Sequence, residues 1–89
     1  MGQRHLPVDL LPRAPTDTVL TPYDRAHAAL YFQLVDAAEA GADWRKVVAL
    51  ALAIEPAAPD ARAIWASHLA RARWFVETGW RQLTPDTGR

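Results

Sequence analysis

The side chains best suited to chemistry in this chain are three histidines, His5, His27 and His68, and a scatter of cations that includes Arg45, Lys46, Arg62, Arg71, Arg73 and Arg81. Catalysis by the histidines would need a nucleophile, a carboxylate or a metal within reach, and they lie on separate segments of the sequence. His27 and His68 both fall on apolar stripes, where a hydrogen-bonded core histidine is the ordinary arrangement. No HExxH string, nucleophile elbow, glycine-rich phosphate loop or acid-base carboxylate pair is present. With no cysteine there is neither a thiolate metal site nor a disulfide. The sequence therefore predicts no catalytic residue, no cofactor and no metal ligand, and a role other than that of an enzyme.

The cations suggest nucleic acid instead, but the charge balance opposes it. Ten basic residues stand against ten acidic ones. DNA-binding domains are usually plainly basic, because phosphate neutralisation drives their affinity. Arg45 and Lys46 are placed where a helix start can touch phosphates, and Arg62 is the only cation early in the helix that follows. These three are the candidate DNA contacts.

The elements that position these residues read as helices. Thr21 can cap a first helix with Pro22 in its first turn and Asp24 three residues after the cap. Its inward stripe is predicted as Tyr23, Ala26, His27, Leu30, Leu34 and Ala37, ending at Gly41. Asp43 caps a second, short helix with Trp44, Val47, Val48, Ala51 and Leu52 inward. Pro56 and Pro59 break the chain, and Asp60 then caps a third helix with the stripe Ala61, Trp65, His68, Leu69, Ala72 and Val76, flanked by Ile64 and Phe75 and stopped by Gly79. This is an all-α domain of three helices, with a short C-terminal turn in which Trp80 and Leu83 fold back. Its second and third helices form a helix-turn-helix whose turn exceeds the ~3–4 residues usual for that motif.

Residues 1–20 hold Pro7, Pro12 and Pro15 and read as an extended arm; its apolar residues, Leu6, Val8, Leu10, Leu11, Val19 and Leu20, either pack across the domain or await a partner. The domain proper spans 21–83 and a tail 84–89. With 51% apolar residues the chain can bury a core, and no apolar run reaches the ~18 residues needed to span a bilayer. Without a basic-then-apolar leader pattern, the chain is expected in the cytoplasm.

Opposite Trp65 on the third helix the predicted outer face is Ala63, Ser67, Ala70 and Trp74, with Ala66 and Arg71 at its borders. Base reading needs forked donors and acceptors near the start of that helix, and none sits centrally there. Trp74, flanked by Arg71 and Arg73, has the composition of a protein-binding anchor; the alternative is that the arm covers it. On the first helix Ala28, Phe32 and Val35 lie opposite the Leu30 stripe, as a docking patch or a seat for the arm. The candidate partner-binding residues are thus Trp74, Arg71, Arg73, Phe32 and Val35.

The strings LTPYD (Leu20 to Asp24), GADWR (Gly41 to Arg45), SHLARARW (Ser67 to Trp74) and ETGWRQL (Glu77 to Leu83) resemble a proteobacterial extended-turn helix-turn-helix domain found in regulators of integrative and conjugative elements. That resemblance covers about three quarters of the chain. It implies two functional kinds. In FseA-like activators the domain follows a separate N-terminal domain and binds DNA through a positive face. In QseM-like antiactivators a standalone copy with a more negative surface captures the activator's N-terminal domain and silences excision and transfer. With balanced charge, the chain is similar to the antiactivator kind, so the partner implied is the N-terminal domain of an FseA-like transcriptional activator, with DNA binding absent or weak. The other reading is a small DNA-binding regulator using Arg45, Lys46 and Arg62 with Arg71 and Arg73.

Overall fold

Thr21 adopts an extended backbone, and its hydroxyl accepts from the Asp24 N–H while the Asp24 carboxylate accepts from the Thr21 N–H at 2.9 Å. This reciprocal capping box, with Pro22 in the first turn, starts the helical part of the chain where the sequence predicts. A computed structural model describes residues 10–82. Over these residues the fold is all-α: α1 (Pro22–Ala26), α2 (Ala28–Glu39), α3 (Trp44–Leu50), α4 (Ala61–Glu77) and a closing 3₁₀ turn, Gly79–Gln82. His5, Leu6, Val8, Leu83 and the tail 84–89 lie outside the described residues.

The predicted first helix is two helices, broken at His27, whose backbone sits at φ −112° and ψ 20°. The turn tightens there as the Asp24 carbonyl takes up an i+3 bond. The His27 N–H is shared between the carbonyls of Tyr23 and Asp24, at 3.0 and 3.1 Å, and the His27 ring Nδ1 lies 2.8 Å from that same Tyr23 carbonyl. A three-residue bond of this kind is the tighter 3₁₀ pattern, which marks the junction between the two helices. Helical bonding resumes with the Tyr31 N–H on the His27 carbonyl at 2.9 Å. At the far end Gly41 takes φ +74°, and the Ala42 N–H reaches back to the Ala37 carbonyl at 2.9 Å.

The inward face of this pair differs from the predicted stripe. Asp24, His27, Tyr31 and Leu34 are buried, whereas Ala26 is exposed and Leu30 only half-buried. The difference arises because Asp24 and Tyr31, which lie off the predicted apolar stripe, satisfy each other in the interior. The patch placed opposite Leu30 is corrected accordingly: Ala28 and Val35 pack against the core, and only Phe32 stays largely open, with its ring edge-on to Phe75 at 5.6 Å.

In α3, Asp43 caps as expected, accepting from the Arg45 N–H at 3.1 Å, and Val47, Val48 and the following Leu52 are buried. The connector 51–60 turns through Ala53, which holds a left-handed φ of 56°, and then buries Ile54 to 3% exposure. Ile54 also donates its N–H to the Val48 carbonyl. The turn is long because it contributes a core side chain before Pro56 and Pro59 lead into α4.

Asp60 occupies the N-cap position of α4 without a side-chain capping bond. The helix buries Ala61, Ile64, His68, Arg71, Ala72 and Phe75, leaving Trp65, Leu69 and Val76 half-buried at its flank. Phe75 meets Tyr31 of α2 with ring centroids 5.3 Å apart. Gly79 does more than end the helix: a Cβ there would lie 2.4 Å from the Trp74 ring. Trp80, expected to fold back, keeps 43% of its surface exposed.

Two substitutions test this backbone reading. Gly79→Ala should cost about 1–3 kcal/mol in a urea titration, because the Trp74 ring must shift. Ala53→Gly should gain about 1 kcal/mol by removing the left-handed strain on a Cβ-bearing residue.

Candidate partner-binding surface

The most constrained side chain among the candidates is Arg71, and it faces inward. Its Nη2 lies 2.6 Å from the Asp24 carboxylate in an ion pair whose side chains are 4% and 0% exposed. Nε donates to the other carboxylate oxygen at 2.9 Å, making the pair bidentate. The guanidinium also donates to the Asp17 carbonyl and, at 3.0 Å, to the Val19 carbonyl, so it pins the arm to α4. Asp24 accepts in addition from the Tyr31 hydroxyl at 2.7 Å and from the Thr21 hydroxyl at 3.0 Å.

Burial pushes the Asp24 carboxyl up, but hydrogen bonds from Arg71, the Thr21 backbone, Tyr31 and the Thr21 hydroxyl together outweigh it and bring it from the ordinary 3.8 down to about 2. Burial and the bond to Asp24 hold the Tyr31 phenol far above its usual range. The bond to Asp24 likewise raises Arg71. All three groups therefore keep fixed protonation states near neutrality.

A second buried network joins the arm to the histidines. The Leu11 N–H donates to the Tyr23 hydroxyl at 3.0 Å, and that hydroxyl lies 2.7 Å from His68 Nε2. His68 Nδ1 sits 2.9 Å from the Ile64 carbonyl, which can only accept, so Nδ1 carries the proton and Nε2 accepts from Tyr23. Burial lowers the His68 pKa against the opposing effect of the Ile64 carbonyl, with the charge of His27 adding to the lowering. His27 stacks on the other side of this network, its ring 4.0 Å from that of Tyr23. Among the described residues no group of three or more His, Cys, Asp or Glu side chains could hold a metal ion. His27 and His68 are thus buried side chains with hydrogen-bonded ring nitrogens.

The five candidate partner residues are not brought together. Arg71 does not border an open face: it is 5% exposed and committed to Asp24. Trp74 is half-buried, its ring 3.9 Å from the Arg71 guanidinium and against Gly79. The arm runs beside it, with the Ala14 N–H donating to Ser67 Oγ at 2.8 Å. Pro15, Thr16, Asp17 and Thr18 complete a cavity of about 320 Å³ over Ser67, Ala70, Arg71 and Trp74. The arm and Trp74 thus face one another across this cavity. Val35 is half-buried, Phe32 is 48% exposed, and Arg73 is exposed.

Burying Arg71 sets the rotation of α4, so the outward ridge differs from the face predicted opposite Trp65. It consists of Arg62, Ala63, Ala66, Ala70, Arg73 and Glu77, all exposed. Of the DNA candidates, Arg45 and Arg62 converge on the Trp44 ring, at 5.1 and 5.5 Å from its centroid, and Trp44 in turn lies 5.9 Å from Trp65. Arg45 is shared with Asp43 at 3.5 Å, both exposed. Lys46 stands apart, lining a groove of about 430 Å³ between α2 and α3.

Sequence patterning placed Asp24 only at a helix start and named neither Tyr31 nor Leu50. Asp24 and Tyr31 were hidden by their polarity. Leu50, 84% exposed beside the α2–α3 groove, was signalled only by being apolar and off the stripe of its helix. No protein-family model and no curated protein matches this chain.

The ion pair generates a signed pH dependence. Asp24 titrates lower folded than unfolded, so its contribution is fully present above pH 3.8 and is lost as pH falls through about 2. Asp24→Ala, which leaves a buried guanidinium unpaired, should cost roughly 3–5 kcal/mol at neutral pH in chemical denaturation. The stability gap between wild type and Asp24→Asn should narrow across that acidic window; a constant gap would show that the carboxylate is not held by charge.

Proposed function

We propose that this chain is an antiactivator of transcription that works in the cytoplasm by binding another protein, the N-terminal domain of an FseA-like activator, and so represses excision and transfer of an integrative and conjugative element. The observation that carries this reading is the outward ridge of α4. Its middle is Ala63, Ala66 and Ala70, with arginine only at Arg62 and Arg73. Methyl groups offer no donors or acceptors to base edges, and the balanced charge of the chain supplies little attraction to phosphate. Among the described residues no helix is long and apolar enough to cross a membrane, which fits a partner met in aqueous solution.

The mechanism is competition. A free copy of the domain offers the activator's N-terminal domain the surface that the activator's own copy normally presents. Because the displaced contact is intramolecular, the free copy must meet a high effective concentration with either a tight interface or excess protein. Phe32 and Arg73 remain available for such contacts, Trp74 and Val35 reach the surface in part, and Arg71 acts by holding α4 in place.

The second reading, a DNA-binding regulator, is favoured by one observation, the convergence of Arg45 and Arg62 on Trp44. The two readings separate in one experiment. Calorimetric titration into the activator's N-terminal domain should give saturable binding that changes little with salt, while a mobility shift with the cognate promoter at moderate salt should show no complex. Promoter binding that weakens steeply with salt, without any complex with the activator domain, would establish the DNA reading.

A further inference from the structure

We infer that the groove between α2 and α3 is a self-association surface that accepts Leu50 from a second copy of this chain. Leu50 is 84% exposed, more than any other large hydrophobic side chain among the described residues. It stands at the rim of a groove of about 430 Å³ whose apolar lining includes Ala37, Ala42, Val47 and Ala51. Knob and hole therefore belong to one patch, and a two-fold dimer requires a patch complementary to itself. Each copy's Leu50 would fill the other's groove, removing both side chains from water at once.

The charges on the rim fit the same symmetry. Asp36 on α2 and Lys46 on α3 are both exposed and both line the groove. Among the described residues neither is in an ion pair. A two-fold axis through the groove sets Lys46 of one copy against Asp36 of the other, twice over, and the zero net charge of the chain adds no repulsion between copies. A polyanion is a poor occupant, since the rim carries one carboxylate for its one cation. The surface lies on the α2–α3 side, apart from the outward ridge of α4, so self-association stands independently of the antiactivator reading.

Analytical ultracentrifugation of the full chain from low micromolar to millimolar concentration tests this. A reversible monomer–dimer equilibrium is expected. Leu50→Asp should weaken it by about tenfold or more, with an unchanged thermal transition because the side chain is already in water. Asp36→Lys should also weaken it, and combining Asp36→Lys with Lys46→Asp should restore it by exchanging the two signs across the axis. A chain that stays monomeric at millimolar concentration overturns the inference, as does a dimer indifferent to Leu50→Asp. A monomer in which Leu50→Asp abolishes binding of the activator domain also overturns it and assigns the groove to that partner.

Discussion

A carboxylate and a guanidinium cannot be left unpaired in a protein interior, and the architecture of this chain follows from how Asp24 and Arg71 meet that constraint. Desolvating both ions is costly, and the cost is offset only when nearly every lone pair and N–H has a partner. Asp24 therefore gathers the Thr21 backbone and hydroxyl, the Tyr31 hydroxyl and Arg71 around its two oxygens. Arg71 gathers the Asp17 and Val19 carbonyls and lies against the face of Trp74. The carboxylate that starts α1 is thus the one that fixes α4, and the guanidinium that fixes α4 also straps down the arm.

From that lock follow the orientation of the last helix and the surface it leaves to solvent. With Arg71 inward, the Ser67 and Trp74 side of α4 lies beneath the arm, and the outward ridge is the alanine run between Arg62 and Arg73. The connector 51–60 anchors beside α3 by burying Ile54. Along the outward ridge stand methyl groups where base reading needs forked donors and acceptors. The cationic pair over Trp44 is the one feature that points the other way.

Local signals in the sequence were legible. The Thr21-Pro22-Asp24 start, the Gly41 stop, the Asp43 cap and the Pro56 and Pro59 break all act within a few residues, so their chemistry can be read without knowing what packs on them. Signals that depend on distant partners were not. Asp24 and Tyr31 look like surface residues until Arg71 arrives from another helix, and an arginine on an apolar helix reads as a border residue rather than its inward face. Misplacing Arg71 rotates the whole of α4, which is why Trp74 read as an outward candidate while the arm beside it went unresolved. The break at His27 escaped because a single tightened turn leaves no mark in hydrophobic periodicity. The openness of Leu50 left only a faint mark, an apolar residue off the stripe of its helix, since no pattern announces a groove left unfilled.

The exterior built around this ion pair is proposed to engage a protein and not a duplex. Two-dimensional NMR of the labelled chain, titrated in turn with the activator's N-terminal domain and with the cognate promoter duplex at near-physiological salt, tests that most directly. The activator domain should shift a contiguous set of exposed residues while the amides around Asp24 and Arg71 stay in place, and the duplex should shift none. Saturable shifts of Arg45, Arg62 and the α4 ridge on adding the duplex, with none on adding the activator domain, would contradict it.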